Sequence, residues 1–490
     1  MLFNTIDFVI FFIVVLTTFV AIKRRTFHHI FLLAASYFFF YYSSNYLISL
    51  LIFTTVWDFY FGQLIFKTDN ITRKKALLAA SLAGNLGLLG FFKYADFAIT
   101  QFNFIGHHFD IDSNIPLLNL TLPIAISFYT FHSITYTVGI YRKQIEPAKT
   151  FTEYAIFVAF FPQLVAGPIL RAKDFLPQLR EKIEGSTVVG KFRLIVIEKS
   201  NLKYGITLML FGFLKKMFFA DNIAPLVNDV FSNPIGHDSL TIILTTLAFG
   251  IQIYCDFSGY SDIALGAAWI MGFKIPINFN KPYFATSPSD FWRRWHVSLS
   301  TWLRDYLYVP LGGNRKSKYR TYLNLFIVMF LGGLWHGASW NFVIWGTLHG
   351  TYLAIHRALS NKFPQIFSQD LSKNRILKIV AIVVTQYFVF LAWIPFRIKE
   401  FDNMTYAMQK YLIPNISISS FIEIIKSYEL PVVFIVIFIT LHFMSYRKGN
   451  LVETVAKLRP INWFLFSTIC GLLIVLFYGG SPKEFIYFEF

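Results

Sequence analysis

Apolar runs of bilayer length, separated by short clusters of lysine and arginine, set the strongest limit on how this chain can fold. The run over residues 6–22 is followed by a Lys-Arg-Arg cluster, and the run over residues 122–141 by Arg142 and Lys143. A helix needs ~20 apolar residues to cross a bilayer, and flanking basic residues favour the cytoplasmic side. The alternation predicts an all-α polytopic membrane protein of roughly ten to twelve spans, with both termini outside the cytoplasm.

The composition agrees with that class. Charged residues make up 14% of the chain, against about 25% in soluble domains. A net charge of +17 would suit nucleic acid in a soluble chain, but membrane proteins concentrate Lys and Arg in cytoplasmic loops, so no nucleic-acid partner is expected. The only cysteines, Cys255 and Cys470, lie in apolar runs and support neither a disulfide framework nor a cysteine zinc site.

The organisation along the chain favours one membrane domain over residues 1–490. No internal repeat or low-complexity linker divides it. The motif-bearing region covers about residues 120–350, and further helices are expected over about residues 376–480.

The ionisable residue His336 lies in a largely apolar stretch, FLGGLWHGASWNFVIWGTLHG over residues 330–350. An imidazole at membrane depth is costly and usually faces a cavity where it has a function. We expect Trp335, Trp340 and Phe342 to bury it, and the two tryptophans to line a tunnel. The alternative is a structural histidine that bonds across helices. No spacing such as HExxH indicates a metal site.

A second element, FWRRWHVSLSTWLRDYLY over residues 291–308, is too charged to cross a bilayer. Its apolar stripe is Trp295, Leu299, Trp302 and Tyr306, and its polar stripe is His296, Ser300, Arg304 and Tyr308. These spacings predict one amphipathic helix at the membrane surface or at a cytoplasmic mouth. On that helix, a histidine in the polar stripe could simply face water.

An interfacial anchor would explain this helix, and so would a vestibule for an anionic acyl donor. Guanidinium groups match phosphate geometry and would suit the pyrophosphate of coenzyme A or a phosphopantetheine arm. The residues expected to bind the donor are Trp292, Arg293, Arg294, Trp295 and Arg304. The donor would act as a substrate, and no bound cofactor is expected.

Three further polar residues lie in apolar segments, and we do not expect any of them to be catalytic. Asp256, in an apolar context, is a candidate tunnel-lining group or a helix–helix contact. His132 is expected to be buried and hydrogen-bonded. His349 lies 13 residues after His336, about 220° away on a continuous helix, so it is not expected to share its face.

Five segments resemble the signature core of the membrane-bound O-acyltransferase family, in the prokaryotic branch similar to the alginate O-acetylation protein. They are LPIAISFYTFHSITYTVGIYR, FFPQLVAGPILR, IYCDFSGYSDIALG, FWRRWHVSLSTWLRDYLYVPLGGN and FLGGLWHGASWNFVIWGTLHG. The resemblance implies a helix bundle around a central tunnel, with re-entrant or interfacial amphipathic helices. It also implies that His336 is catalytic and that His296 is a second polar site residue, as base partner, oxyanion donor or thioester positioner.

The resemblance further implies an O-acyltransferase of the cytoplasmic membrane. It would move an acyl group, with acetyl as the first choice, from acetyl-CoA or an acyl-carrier thioester to hydroxyls of an exported polysaccharide, peptidoglycan or other envelope glycan. A neutral imidazole could remove the hydroxyl proton. An extracytoplasmic SGNH-hydrolase-like partner would complete delivery. Acyl transfer to teichoic-acid-like polymers, such as D-alanylation, and proton-coupled transport stay open as alternatives.

Tyr487, in the C-terminal FIYFEF, is a candidate acyl carrier. If the last apolar run exits outward, its phenol lies at the external mouth. A phenol is a poor nucleophile at neutral pH and would need His336 as its base. The alternative is a residue of an aromatic interfacial belt.

Overall fold

The structure is a computed structural model that describes residues 1–21, 25–111, 114–164, 167–188, 197–367, 374–415, 418–480, 483 and 485–486. Helices dominate these ranges, and none of the residues within them forms a strand. The expectation of an all-α polytopic membrane protein is confirmed.

The helices alternate with short connections. The first eleven are α1 (Ile6–Ala21), α2 (Arg25–Ser44), α3 (Ile48–Lys67), α4 (Ile71–His108), α5 (Ile126–Tyr141), α6 (Phe151–Ala159), α7 (Phe161–Leu164), α8 (Ala172–Val188), α9 (Lys199–Phe213), α10 (Asp221–Ser232) and α11 (Ser239–Ile270). The others are α12 (Pro288–Arg294), α13 (Val297–Leu303), α14 (Lys318–His336), α15 (Trp340–Lys362), α16 (Pro364–Phe367), α17 (Arg375–Arg397), α18 (Phe401–Leu412), α19 (Ile418–Ser427), α20 (Glu429–Lys448), α21 (Leu451–Ala456) and α22 (Pro460–Leu476). Short 3₁₀ turns cover Asn45–Leu47 and Pro282–Phe284, and π-helical turns cover Leu214–Ala220 and Arg304–Tyr308.

Several helices are long and apolar enough to cross a membrane. Within the described ranges these are Phe27–Lys67, which contains most of α2 and all of α3, and α4, α11, α17 and α20. Two more apolar helices, α1 and α22, are shorter. The chain is therefore a multi-pass membrane protein. The figure of roughly ten to twelve spans also counted short and interrupted runs, and it stays a prediction.

The burial of these helices differs with their place in the fold. The most apolar window of α11 is 72% buried, whereas that of α4 is 17% buried. Exposed apolar side chains on a helix are tolerated where lipid covers them. α11 is therefore an inner helix, and the apolar window of α4 is left exposed for lipid to cover.

The contacts of the chain fall into two compact units. The first comprises Met1–Met209 and Ser261–Pro276, and the second Leu210–Tyr260 and Ile277–Phe490. The expectation from the sequence that residues 1–490 form a single membrane domain stays a prediction.

In the first unit, α3 packs against α4, α5 and α6. Asp58 of α3 accepts hydrogen bonds from Ser81 and Asn85 of α4, so a buried carboxylate joins the two helices. His132 of α5 is fully buried, and its Nε2 accepts from the Leu170 backbone N–H at 3.1 Å. The expectation of a buried, hydrogen-bonded His132 is confirmed.

In the second unit, α14 and α15 form an antiparallel hairpin that also packs on α17. The two helices approach closely at Gly333 and Gly346. A Cβ on Gly333 would overlap the Phe342 carbonyl oxygen and lie 3.0 Å from Gly346 Cα. Small residues permit this backbone contact, which is a common way for membrane helices to pack.

Replacing Gly333 with alanine is therefore expected to push α14 from α15 and destabilise the second unit by about 1–3 kcal/mol. The midpoint of thermal unfolding of the detergent-purified protein measures the loss. Gly471→Ala in α22 is the matched control, because a Cβ there meets nothing within 4 Å. Equal midpoints for the two variants would contradict the packing argument.

Candidate active site

His336 is the last residue of α14, and its side chain is buried. The chain leaves the helix at Gly337, and a Cβ on Gly337 would overlap the Phe342 ring. The glycine is needed here because the backbone and this ring approach too closely for a side chain. The imidazole therefore lies where α14 turns toward α15.

Aromatic rings surround the His336 imidazole. The ring centroids of Trp335 and Trp345 each lie 4.8 Å from it, and that of Phe396 lies 5.2 Å away. Phe342 is stacked at 6.4 Å. Edge-to-face contacts of this kind are favourable and fix the orientation of a ring.

The expectation that Trp340 helps to bury His336 is wrong. Trp340 is 55% exposed, whereas Trp345 is 1% exposed. α15 begins at Trp340, so this side chain lies at the helix start, and the residue one and a half turns later faces inward. Whether Trp335, Trp340 and Asp256 line a tunnel stays a prediction.

The expected single helix over residues 291–308 is also wrong. α12 ends at Arg294, Trp295 is extended, and His296 has a φ of +43° before α13 begins at Val297. A left-handed residue ends the first helix and turns the chain, because helical hydrogen bonding cannot continue through it. Periodicity missed the break because both flanking helices keep the same spacing of apolar residues.

Asn278 stabilises the chain at this break. Its Oδ1 accepts from the Ser298 backbone N–H at 3.2 Å and from Ser298 Oγ at 2.8 Å, and it lies 3.2 Å from His296 Nδ1. The Val297 N–H donates to the Asn278 carbonyl oxygen at 3.0 Å. One buried asparagine, through its side-chain and backbone carbonyl oxygens, therefore accepts from donors of three consecutive residues.

These bonds determine the tautomer of His296. Since Oδ1 can only accept, Nδ1 must carry the proton, and Nε2 presents its lone pair. Nε2 is buried and has no hydrogen-bond partner among the residues that the structure describes. His296 lies outside the five candidate membrane spans, and burial lowers its pKa to about 3. The imidazole is therefore neutral at pH 7. The possibility that His296 faces water does not hold, because it is 1% exposed.

Trp335 connects the two histidine-bearing blocks. Its ring centroid lies 6.2 Å from that of His296 and 4.8 Å from that of His336. On its other side, His296 is packed edge-to-face on Phe257 of α11 at 4.7 Å. Residues far apart in the sequence thus meet through one indole.

His349 also lies near this group, contrary to the expectation from a continuous helix. Its ring lies 4.7 Å from that of Trp345, which itself contacts His336. Because α14 ends at His336 and α15 runs back antiparallel, the angle computed for one helix does not apply. His349 is 1% exposed and joins the aromatic core.

The residues expected to bind the donor divide into two groups. Trp292 and Trp295 are buried, with Trp292 against Trp345 at 5.8 Å and Trp295 against Trp393 at 4.9 Å. The three arginines lie nearer the surface. Arg293 and Arg304 are exposed, Arg304 binds Asp305, and Arg294 binds Asp290. Donor binding by these residues stays a prediction.

Asp256 is buried in α11 and forms an ion pair with Lys216 at 2.5 Å. The sequence analysis missed Lys216, although a lysine in the apolar run FLKKMFF is the signal that could have found it. It also missed Asn278 and Trp345.

Tyr487 lies outside the described residues. Across the part of the chain that is described, no group of three or more His, Cys, Asp or Glu could hold a metal ion.

The tautomer of His296 can be tested by ¹⁵N NMR of histidine-labelled protein in nanodiscs. We expect a neutral imidazole with the proton on Nδ1 at pH 7, and it should stay neutral as the pH falls toward 3, because protonation would place a charge in the core. His296→Gln identifies the signal, and Asn278→Ala should remove the preference for Nδ1–H. A protonated His296 at pH 5 would contradict the argument.

Comparisons with known proteins identify the family of this chain. The model of the MBOAT, membrane-bound O-acyltransferase family matches residues 147–394. A probable alginate O-acetylase AlgI from Pseudomonas aeruginosa is 42% identical over 368 residues, which cover 74% of this chain and 65% of that protein. The chain thus spans slightly less than two thirds of that relative.

Two other relatives carry different names. A peptidoglycan O-acetyltransferase from Helicobacter pylori is 33% identical over 488 residues, 90% of this chain and 88% of that protein. A teichoic acid D-alanyltransferase from Streptococcus thermophilus is 29% identical over 300 residues, with 58% and 70% coverage. The resemblance found in the motifs is confirmed: this chain belongs to the membrane-bound O-acyltransferase family.

Proposed function

We propose that this protein is a membrane O-acyltransferase that moves an acetyl group from a cytoplasmic thioester to hydroxyls of an extracytoplasmic envelope glycan. The observation that carries the proposal is the pair of buried histidines, His296 and His336, that contact the same indole in an aromatic core. The relatives named as alginate O-acetylase and peptidoglycan O-acetyltransferase support acetyl as the group and an envelope polymer as the acceptor.

The chemistry needs one proton acceptor near the reacting hydroxyl. As the hydroxyl oxygen bonds to the thioester carbonyl carbon, its proton passes to the imidazole of His336. The carbon–sulfur bond then breaks, the proton returns to the leaving sulfur, and an ester and a free thiol result. General-base assistance of this kind typically contributes about 10²–10⁴-fold to a rate.

His296 suits a supporting role in this reaction. In its neutral Nδ1–H form, Nε2 is an acceptor and cannot donate to an oxyanion. Of the three roles considered for His296, the oxyanion donor is therefore disfavoured. A base partner, or an acceptor that orients the incoming hydroxyl, agrees with the geometry. Asn278 would keep that lone pair aimed in one direction by holding Nδ1.

The donor is proposed to reach the site from the cytoplasm. Arg293 and Arg304 are exposed and could bind the phosphates of acetyl-CoA or of a carrier protein's phosphopantetheine arm. Arg294 is engaged by Asp290 and Arg304 by Asp305, so Arg293 is the strongest of the three candidates. The proposal also includes the cytoplasmic membrane as location, both termini outside, and an SGNH-hydrolase-like partner that completes delivery.

The first test is the base-labile O-acyl content of purified envelope glycans, by mass spectrometry, in cells that express wild type or His336→Ala. We expect one ester class to fall by about 100-fold or more, because the base is lost. The mass of the lost group distinguishes acetyl from D-alanyl. His107→Ala, at the exposed end of α4, is the matched histidine control. An unchanged ester profile at equal protein level would refute the role of His336 and reopen the transporter alternative.

The acyl-carrier role of Tyr487 is tested by Tyr487→Phe, which keeps the aromatic ring and removes the hydroxyl. We expect glycan acylation to fall to the background of the His336→Ala strain, because the acyl group then has no oxygen to occupy. Wild-type acylation in the phenylalanine variant would leave Tyr487 as an interfacial belt residue.

A further inference from the structure

Within the second unit, the C-terminal segment meets a buried group of charges at Ile486, whereas Lys483 is exposed. The Ile486 backbone N–H donates to Asp256 Oδ2 at 2.9 Å. Lys483 Nζ donates to the Asp221 carbonyl oxygen at 2.6 Å. Phe485 and Ile486 are 1% and 4% exposed. Phe485 and Ile486 therefore enter the core of the unit.

Lys216 holds the receiving carboxylate. Its ammonium lies 2.5 Å from Asp256 Oδ1 and 3.0 Å from Asp221 Oδ1, and its side chain is 2% exposed. Asp256 thus gives one oxygen to the lysine and the other to the Ile486 N–H. A buried carboxylate that lost its cation would carry an uncompensated charge, so the lysine keeps Asp256 available as an ionised acceptor.

The bound segment reaches His296 through aromatic contacts. The Phe485 ring lies 4.6 Å from Tyr260 and 5.5 Å from Phe257. Phe257 in turn packs edge-to-face on the His296 imidazole at 4.7 Å. Asn278 holds the other side of that imidazole. The position of Phe257, and with it that of His296, depends on what packs behind Phe257.

We propose that the Lys216–Asp256 ion pair is a docking site for the chain's own C-terminal segment. The docked Phe485 supports Phe257 and thereby positions His296 for acyl transfer. Lys216, Asp256 and Phe485 are positioning residues, since their path to the reacting groups runs through Phe257. The catalytic consequence rests on the proposed function, whereas docking itself does not.

Docking is tested by the accessibility of a thiol at position 485. The protein carries Phe485→Cys together with Cys255→Ser and Cys470→Ser, and N-ethylmaleimide labelling in membranes is followed over time. Adding Ile486→Pro removes the N–H that donates to Asp256, while Ile486→Val keeps it. We expect proline to raise the labelling rate about tenfold or more and valine to leave it low. Equal rates in the two variants overturn the docking site.

The role of Lys216 has its own matched pair. Lys216→Met removes the ammonium and keeps the length of the side chain, and Lys216→Arg keeps the charge. We expect the methionine variant to label as fast as the proline variant and the arginine variant to label more slowly. Protection of position 485 in Lys216→Met would overturn the part of the proposal that assigns Lys216 to docking.

The positioning role is tested with Phe485 restored. Ile486→Pro should reduce glycan acetylation and shift the ¹⁵N signals of His296, and Ile486→Val should retain both, at equal amounts of folded protein. The positioning role would be overturned if Ile486→Pro raised the labelling rate at position 485 but left glycan acetylation, or the ¹⁵N signals of His296, unchanged. If His336→Ala leaves the esters intact, the proposed function fails, but the labelling and NMR results still decide docking.

Discussion

The close contact of α14 with α15 at Gly333 and Gly346 is the constraint on which the candidate site depends. It brings the start of α15 back along the end of α14, so Trp345 packs on His336 and then on His349. Larger residues at the two glycines would separate the backbones and widen the aromatic enclosure. A contact between two residues without side chains therefore brings in Trp345, one of the rings that orient the buried imidazole.

The hydrogen-bond partners of the buried polar groups determine which of their atoms are left to act on a substrate. Asn278 binds His296 Nδ1 and both donors of Ser298, which leaves the Nε2 lone pair of His296. Lys216 pairs with Asp256 and Asp221, and the second carboxylate oxygen of Asp256 accepts the Ile486 N–H. In both places a buried polar residue fixes the backbone of a separate segment, and the segment brings aromatic rings to the histidines.

The sequence predicted the helical class, the two histidine-bearing blocks and the family, because hydropathy and motif residues are local properties of the chain. It failed where helices break or pair. A single helix was expected over residues 291–308, yet His296 takes a left-handed conformation bound to Asn278. Trp340 was expected beside His336, yet Trp345 occupies that side. A helical pattern says which residues share a face, and it does not say where the helix ends.

By itself, the sequence determined that this chain is a multi-pass helical membrane protein. It also singled out two histidines as candidate site residues, because an ionisable side chain in an apolar segment costs free energy and usually has a function. Only the tertiary structure decided that Trp335 contacts both histidines, that Nδ1 of His296 carries the proton, and that the C-terminal segment binds Asp256. These facts depend on contacts between segments distant in sequence, and such contacts arise from packing that no local pattern encodes.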